Sequence, residues 1–229
     1  MGNERIIGSI FCQENSIAIN EIIEDIKKAG EVCIIEIRHD TKEGSFEPHP
    51  DFYMHGLEVI STCMTIDEGG YFDSTLEQWK ELLKLTIDYG TQYIMIGLGQ
   101  AETEQGKELI QYAKERNVKV IIGVHSQKTP SAIAIITTLL KIREAGADIA
   151  KVAYIANKPK DVIEVMKASL YNLGIPKIMI AMGKFGKFWR AVNLIHPWNC
   201  WGMFASIKEA TAPGQLSVKD IKDILKILK

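Results

Sequence analysis

The feature of this 229-residue chain that most restricts its fold is a regular alternation of short apolar runs with longer amphipathic segments. The alternation continues from one end to the other, and no linker rich in Pro, Gly or Ser interrupts it. Such a pattern is typical of βα units whose strands form a parallel sheet covered by helices. We therefore predict an α/β protein that folds as one (β/α)8 TIM barrel domain over residues 1–229, although a doubly wound open sheet has the same alternation.

The predicted strands are apolar runs bounded by turn residues. Among the predicted helices, one opens near Asn15 and stops at Gly30, and another opens at a capping box that runs from Ser74 to Glu77. The loop from His49 to His55 is predicted as a flexible lid over the mouth. The eight predicted strands cover residues 6–11, 32–37, 57–64, 93–98, 119–124, 147–156, 177–181 and 201–206.

Charge and cysteine content exclude several classes of protein. The formal net charge is -2 and the pI is about 6.2, so the chain has no overall basic field for nucleic acid or for an anionic membrane. No apolar run has the length of a membrane span, and no secretory signal is recognisable. We expect a cytoplasmic protein with reduced cysteines, at Cys12, Cys33, Cys63 and Cys200.

Lys151 conflicts with this simple pattern, because it lies in the middle of the apolar run 147–156. That run is predicted as a strand buried on both faces, and lysine is rarely buried without a partner. Either the ammonium group reaches water at the strand end, or the amine has a lowered pKa and attacks carbonyl carbons. For a lone lysine the structural interpretation is the more common one.

Polar and ionisable residues stand at the carboxyl ends of most predicted strands. In a barrel these ends meet at one mouth, which is where barrel enzymes have their active sites. Two of the residues, Glu36 and Arg38, share one side of their strand, and a simple ion pair between them is an alternative interpretation. The full set is Glu36, Arg38, Glu68, His125, Lys151, Arg190, Thr211 and Gln215.

These residues together predict a Schiff-base site. The lysine would form an imine with a ketone, and the iminium would make a neighbouring C–H acidic enough for His125 to remove. Glu68 is a carboxylate able to orient that histidine. Other motifs are weak, since Gly97-Leu98-Gly99 lacks the third glycine of a dinucleotide fingerprint and the histidines show no paired metal spacing. We predict no metal and no nucleotide cofactor.

Six motifs, in this order along nearly the whole chain, resemble those of type I 3-dehydroquinate dehydratases of the shikimate pathway. The resemblance implies a (β/α)8 barrel, usually a homodimer, that binds the small molecule 3-dehydroquinate and converts it to 3-dehydroshikimate without a cofactor. The motifs are Glu36-Ile37-Arg38-His39-Asp40, Glu68-Gly69-Gly70, the segment 124–131, the segment 146–153, Met182-Gly183 with Gly186 and Arg190, and Ala212-Pro213-Gly214-Gln215.

The resemblance also assigns roles. It implies that Lys151 condenses with the C3 ketone, that His125 removes a C2 proton and returns a proton to the departing C1 hydroxyl, and that Glu68 orients His125. Substrate contacts are implied for seven further residues: Arg190, Thr211 and Gln215 at the carboxylate, Glu36 and Arg38 at the ring hydroxyls, and Met182 and Phe204 as lining.

Four departures from the family pattern reduce the charge around this site. Met64 stands where the family usually has arginine, and Met95 and Gly97 stand where it has an Asp and a Glu. Trp189 stands where the family usually has serine, and the segment 196–201 has about two extra residues. Two alternatives therefore remain. One is a related Schiff-base lyase or aldolase for another small keto acid, and the other is a degenerate barrel kept as a binding module.

Overall fold

The computed structural model describes residues 5–12, 20–21, 23–24, 26–27, 34–41, 44–45, 48–195, 197–198, 200–207 and 210–228. Within them, eight parallel strands form a single sheet. The strands are β1 Arg5–Phe11, β2 Ile34–Arg38, β3 Glu58–Thr62, β4 Tyr93–Gly97, β5 Lys119–Ser126, β6 Ile149–Ile155, β7 Lys177–Met182 and β8 Gly202–Ser206.

The sheet curls into a nearly closed barrel. Its strands follow the chain order from β1 to β7, and β8 pairs with β1 from Arg5 opposite Gly202 to Ser9 opposite Ser206. Between the remaining edges, β7 and β8, the backbone N–H of Trp201 donates to the carbonyl of Lys177 at 2.9 Å. The predicted barrel is thereby confirmed, and the open-sheet alternative is wrong.

Helices and turns connect the strands. After β2, the residues Asp40–Thr41 pair with Gly44–Ser45 in a short antiparallel ladder. No helix in the described part of the chain is long and apolar enough to cross a membrane. The helices are α1 Leu76–Asp88, α2 Leu98–Ala101, α3 Glu104–Glu115, α4 Ala132–Glu144, α5 Pro159–Ser169, α6 Trp189–Val192 and α7 Val218–Leu228, with 3-10 turns at Pro50–Tyr53, Ile66–Glu68 and Lys184–Gly186.

The first predicted helix is only partly described. Residues 20, 21, 23, 24, 26 and 27 are helical, and Ile23 and Ile26 are buried, as an inward apolar face requires. The predicted start near Asn15 and the predicted stop at Gly30 lie outside the described residues.

Side-chain alternation along each strand separates two apolar layers. On β6, Val152 and Tyr154 point outward and pack beneath the helices, whereas Ile149 and Ala153 point into the barrel. Lys151 shares the inward side. Beneath it the barrel is filled by buried apolar side chains, each worth about 1.5–3 kcal/mol on burial, namely Ile7, Ile34, Ile60, Ile121 and Ile178.

The capping box that opens α1 is one residue later than predicted. Thr75, not Ser74, is the N-cap: its Oγ1 accepts from the N–H of Gln78 at 3.2 Å, and the Gln78 side chain accepts from the Thr75 N–H at 3.3 Å. This start places Trp79 on the buried face, where its indole N–H donates to the Cys63 carbonyl at 2.9 Å. Packing of the large side chain therefore decides between two adequate caps.

The predicted lid is anchored where it is described. Phe52 and Tyr53 are buried with the apolar side chains on the outer face of β2. The Tyr53 hydroxyl lies 3.2 Å from Ser61 Oγ and 3.3 Å from His39 Nε2. Two aromatic side chains thus pack the turn Pro50–Tyr53 against the outside of the barrel, and its role as a lid stays a prediction.

Trp189 packs against Trp198, a residue of the unusual segment 196–201. The Trp189 ring is fully buried, its indole N–H donates to the Met179 carbonyl at 2.9 Å, and the Trp198 ring meets it edge to face at 5.3 Å. Trp189 therefore faces the outer layer and holds α6 against β7. The neighbouring Arg190 points inward from the same short helix.

Candidate active site

A small cavity of about 50 Å³ lies inside the barrel at the carboxyl ends of the strands. Nine of the ten predicted site residues line it: Glu36, Arg38, His125, Lys151, Met182, Arg190, Phe204, Thr211 and Gln215. The tenth, Glu68, lies farther out and lines a wider mouth of about 590 Å³ together with His125. The structure thus brings residues from most of the strands to one place.

Sequence reasoning assigned no site role to six further lining residues. Ala153 and Ile180 lie two positions from Lys151 and Met182 on the same strands, so the strand period of two was a sufficient signal for them. Met64 and Met95 stand out in the sequence only as departures from a family pattern. The six are Ser9, Met64, Met95, Ala153, Ile180 and Ala212.

The Lys151 amine is buried among sulfur and aromatic groups. Its Nζ lies 3.1 Å from Met95 Sδ and 3.8 Å from the centroid of the Phe204 ring. Burial lowers the pKa of Lys151 to about 8, the Glu36 carboxylate opposes that change, and the Arg38 and Arg190 guanidinium groups add to it. At pH 7 roughly a tenth of the amine is neutral, against roughly 0.03% at the ordinary value.

His125 lies next to Lys151, nearer the mouth. Gly123 pairs with Lys151 in the sheet, so His125 is two residues farther along β5 on the same inward face. Burial, and then the Lys151 and Arg38 cations, hold the pKa of His125 well below its usual value. The imidazole is therefore neutral at physiological pH, and it is able to accept a proton. Within the described residues, its buried Nδ1 makes no hydrogen bond.

Within the described residues Glu68 donates or accepts no hydrogen bond at the buried Nδ1 of His125, and its orienting role stays a prediction. Its Oε1 accepts from the Gly99 backbone N–H at 2.9 Å, and the Gln100 amide, with its nitrogen turned toward Glu68, supplies a second donor. Burial raises the pKa of Glu68 to about 7, while the Gly99 hydrogen bond opposes the change. These two donors hold the carboxyl group against the segment that follows β4.

Arg38 pairs with Asp40, and not with Glu36. The Arg38 Nε lies 3.3 Å from Asp40 Oδ1, and one of its terminal nitrogens contacts Oδ2. Burial opposes the charge of Arg38, but the Asp40 carboxylate outweighs it and raises the pKa of Arg38. Glu36 instead accepts from the Thr62 hydroxyl at 3.0 Å. The Glu36 carboxylate thus stays available to the cavity.

Asp40 also fixes the segment after β3, because its carboxylate accepts from the backbone N–H groups of Met64 at 3.0 Å and Tyr71 at 3.2 Å. Asp40→Ala is expected to lower the free energy of unfolding by about 3–5 kcal/mol, since it leaves the Arg38 charge and two backbone donors without their acceptor. Urea denaturation measures the change. In the matched control Asp51→Ala, which removes an exposed carboxylate beside His49, a loss within about 0.5 kcal/mol is expected. A loss below about 1 kcal/mol for Asp40→Ala would contradict this role.

Arg190 provides an anion-binding end to the cavity. It is 1% exposed, and its terminal nitrogens donate to the carbonyls of Phe204 at 3.3 Å and Pro213 at 3.4 Å. Its buried Nε has no hydrogen-bond partner among the described residues. Burial lowers the pKa of Arg190 to about 10, so the guanidinium group remains charged at neutral pH. A buried cation with a spare donor suits a ligand carboxylate.

Thr211 and Gln215 complete this end of the cavity. Gln215 Oε1 accepts from the Thr211 N–H at 2.6 Å and from the Thr211 hydroxyl at 3.1 Å. Because the amide oxygen takes both of these bonds, the amide nitrogen keeps its capacity to donate. The loop after β8 therefore presents a donor beside the Arg190 guanidinium.

Comparisons with known proteins agree on one family. The model of the type I 3-dehydroquinase family matches residues 13–229. A 3-dehydroquinate dehydratase of Clostridium kluyveri is 33% identical over 181 residues, which are 76% of this chain and 70% of that protein. One of Methanococcus maripaludis is 33% identical over 226 residues, covering 96% and 98%. The crystal structure of the type I enzyme of Clostridium difficile, with covalently modified comenic acid, matches with a TM-score of 0.86 at 26% identity and covers 100% of this chain and 93% of that one.

Proposed function

Because the chain belongs to the type I 3-dehydroquinase family, we propose that it eliminates water from 3-dehydroquinate through an imine formed on Lys151, giving 3-dehydroshikimate. The chain is in that case a hydro-lyase of the shikimate pathway. The single observation that carries the proposal is the burial of a lysine amine of lowered pKa beside a neutral histidine in one cavity.

Lys151 supplies the covalent step. Its ammonium group gives up a proton, and the neutral amine adds to the C3 ketone. The carbinolamine takes up one proton and loses water, which gives an iminium ion in a cavity already lined by Phe204 and the Glu36 carboxylate. The ring face stabilises the positive charge, and the Glu36 carboxylate compensates it at longer range. Imine formation therefore replaces one buried cation by another and requires no new counter-charge.

His125 supplies the proton transfers. The iminium withdraws electrons from C2, so the neutral imidazole removes a C2 proton and leaves an enamine. The enamine then expels the C1 hydroxyl, which takes the proton back from His125 and leaves as water. Hydrolysis of the conjugated imine consumes one water, releases 3-dehydroshikimate and restores the Lys151 amine. One water is lost overall, because imine formation releases the water that hydrolysis consumes, and no cofactor is needed.

Turnover of 3-dehydroquinate tests the proposal directly. The product is a conjugated enone, so its formation is followed by ultraviolet absorbance. We expect steady turnover by the protein without any added metal or nucleotide. Absence of turnover at any pH between 6 and 9 by a folded protein would overturn the assignment.

Arg190 is proposed to bind the substrate carboxylate, with Thr211 and Gln215 beside it. Arg190→Met is expected to raise KM for 3-dehydroquinate by about 10- to 100-fold and to change kcat much less, because a charge-assisted contact present throughout the reaction is lost. Steady-state kinetics measure both values, and a thermal melt shows whether the fold is intact. Lys184→Met removes an exposed cation from the neighbouring turn and serves as the control. A change in KM of less than twofold for Arg190→Met would contradict the role.

A second candidate function is favoured by the thioether side chains around the amine. Met64, Met95 and Met182 all line the cavity, and none of them bonds strongly to a ring hydroxyl. A small keto acid without such hydroxyls would suit a cavity lined by these thioethers, and the chain would then be a related Schiff-base lyase or aldolase. Faster imine trapping with such a keto acid than with 3-dehydroquinate would favour it, whereas binding without turnover of either would indicate a binding module.

We also propose that residues 1–229 act as one domain, as a cytoplasmic homodimer that binds neither nucleic acid nor membrane. The strands of one sheet come from residues 5 to 206, which supports a single domain. Among the described residues Cys63 and Cys200 form no disulfide, as is usual in a reducing compartment. Sedimentation equilibrium tests the homodimer, and a mass equal to one chain at micromolar concentration would exclude it.

A further inference from the structure

Gly97 is the last residue of β4, and a side chain at this position would overlap the Glu68 carboxyl group. A Cβ on Gly97 would lie 1.2 Å from Glu68 Oε2 and 1.7 Å from Glu68 Cδ. The backbone there is extended, with φ −81° and ψ 158°, a conformation open to any residue. The backbone conformation therefore does not require glycine at position 97. The position of the Glu68 carboxyl group requires it, because any larger side chain would overlap that group.

Glu68 has polar partners in this place. Its carboxyl group accepts from the Gly99 N–H and from the Gln100 amide, and it separates a groove lined also by Asp67 and Asp73 from the barrel mouth. Burial, and to a smaller extent the neighbouring Asp67 carboxylate, disfavour its ionised form. The two hydrogen-bond donors favour it. Glu68 is consequently held here, but not by an ion pair.

In the part of the chain that the structure describes, His125 lacks a hydrogen-bond acceptor for its ring nitrogen Nδ1, and the Glu68 carboxylate could supply one. Its Nδ1 is buried and makes no hydrogen bond within the described residues, although both side chains line the same mouth. A buried imidazole nitrogen without a partner is costly, and a carboxylate is a strong acceptor for it. The positively charged groups that face His125 are Lys151 and Arg38, and neither can accept a hydrogen bond.

We infer that Gly97 is a positioning residue for the dehydration reaction: it makes room for Glu68 against Gly99 and Gln100, and so keeps the carboxyl group off His125 until Glu68 leaves this place. The inference rests on the proposed role of His125 as the base. Once the carboxylate reaches Nδ1, it stabilises the imidazolium that forms when the C2 proton is taken. The base is then oriented only for part of the cycle.

The test compares Gly97→Ala, Glu68→Ala and the double variant. In Gly97→Ala the new methyl group excludes Glu68 from its place, so the carboxylate moves onto His125 and the pKa of His125 rises by about one unit or more. Titration of ¹³C-labelled histidine by NMR measures this pKa, and a His125→Asn spectrum assigns the signal. The acid limb of the pH profile of kcat/KM should move in the same direction.

The double variant separates a specific effect from general damage. With Glu68 reduced to alanine, the methyl group added at position 97 enters space that the carboxyl group has left, so Gly97→Ala should no longer change the pKa of His125. Gly202→Ala is the matched strand glycine, at the start of β8 and the opposite end of the barrel, where the nearest atom to a Cβ is Ile7 Cδ1 at 3.0 Å. It should leave the pKa of His125 unchanged.

Two results would overturn the inference. One is a folded Gly97→Ala protein in which the pKa of His125 is the same as in the unaltered chain. The other is a Gly97→Ala protein that does not fold while the double variant does, because Glu68 would then have no second place to occupy. The NMR titration needs no turnover, so failure of this inference and failure of the dehydratase assignment are distinguishable.

Discussion

Lys151→Met is expected to lower kcat for 3-dehydroquinate dehydration by about 10⁴-fold or more, the scale of removing a covalent nucleophile. The reason is that no other amine lines the inner cavity among the described residues. Methionine is a conservative choice, because an unbranched thioether packs well where Lys151 now contacts Met95 and Phe204. We therefore expect the variant to fold and still to bind substrate.

Borohydride trapping shows the imine itself. Reduction in the presence of 3-dehydroquinate should add one reduced ligand to the unaltered chain, seen by intact mass, and nothing to Lys151→Met. Lys184→Met keeps the buried amine and should be trapped normally. An adduct that persists in Lys151→Met would place the imine elsewhere.

The pH dependence of trapping follows from the pKa of Lys151, about 8. Only the neutral amine attacks, so the rate of imine formation should rise about tenfold per pH unit below this pKa and level off above it. An ordinary lysine would continue to gain rate up to about 10.4. A profile that still rises steeply above pH 9 would show that burial does not lower the pKa of this amine.

The sequence was sufficient for the barrel and for most of the site because both follow from strand alternation. The alternation of side chains along each strand places Glu36, Arg38 and Lys151 inside the barrel, and they line the cavity together. This alternation has an equally plain limit. It says which way a residue on a strand points, but it says nothing about residues in the turns between strands.

Glu68 illustrates that limit. It lies in the turn Ile66–Glu68, and the place of its carboxyl group is decided by a missing side chain at position 97 and by two donors that follow it. In the sequence, Gly97 stands out as a departure from a family pattern and as part of an incomplete glycine motif, and neither indicates a contact with Glu68. Its effect on a residue 29 positions away required the packing of two neighbouring strand ends.

Trp189 illustrates a different limit. Its neighbour in sequence is a cavity residue, so the change from serine suggests a change near the substrate. The structure instead turns Trp189 outward onto Met179 and Trp198. Trp189 and Trp198, which come from two of the departures, thus pack on each other outside the cavity. Adjacent residues on a helix point about 100° apart, so they can face different layers, and only the fold shows which one faces the substrate.

His125→Ala is expected to lower kcat by about 10²- to 10⁴-fold, the usual contribution of a positioned acid–base group, with a much smaller change in KM. The imidazole is neutral because burial and two cations keep its pKa low, so the wild-type protein has its base ready at neutral pH. His49→Ala, at an exposed cap of the turn Pro50–Tyr53, is the control and should keep full activity.

The decisive comparison is between trapping and turnover in His125→Ala. If His125 acts mainly on the C2 proton, the Lys151 imine should still form and should be trapped to a high level by borohydride, while exchange of the C2 protons with deuterated water becomes slow. Loss of trapping together with turnover would instead assign His125 to imine formation. Retention of kcat within tenfold would remove it from the proton transfer, and the base would then have to be sought among the carboxylates of the site, Glu36 in the cavity or Glu68 at the mouth.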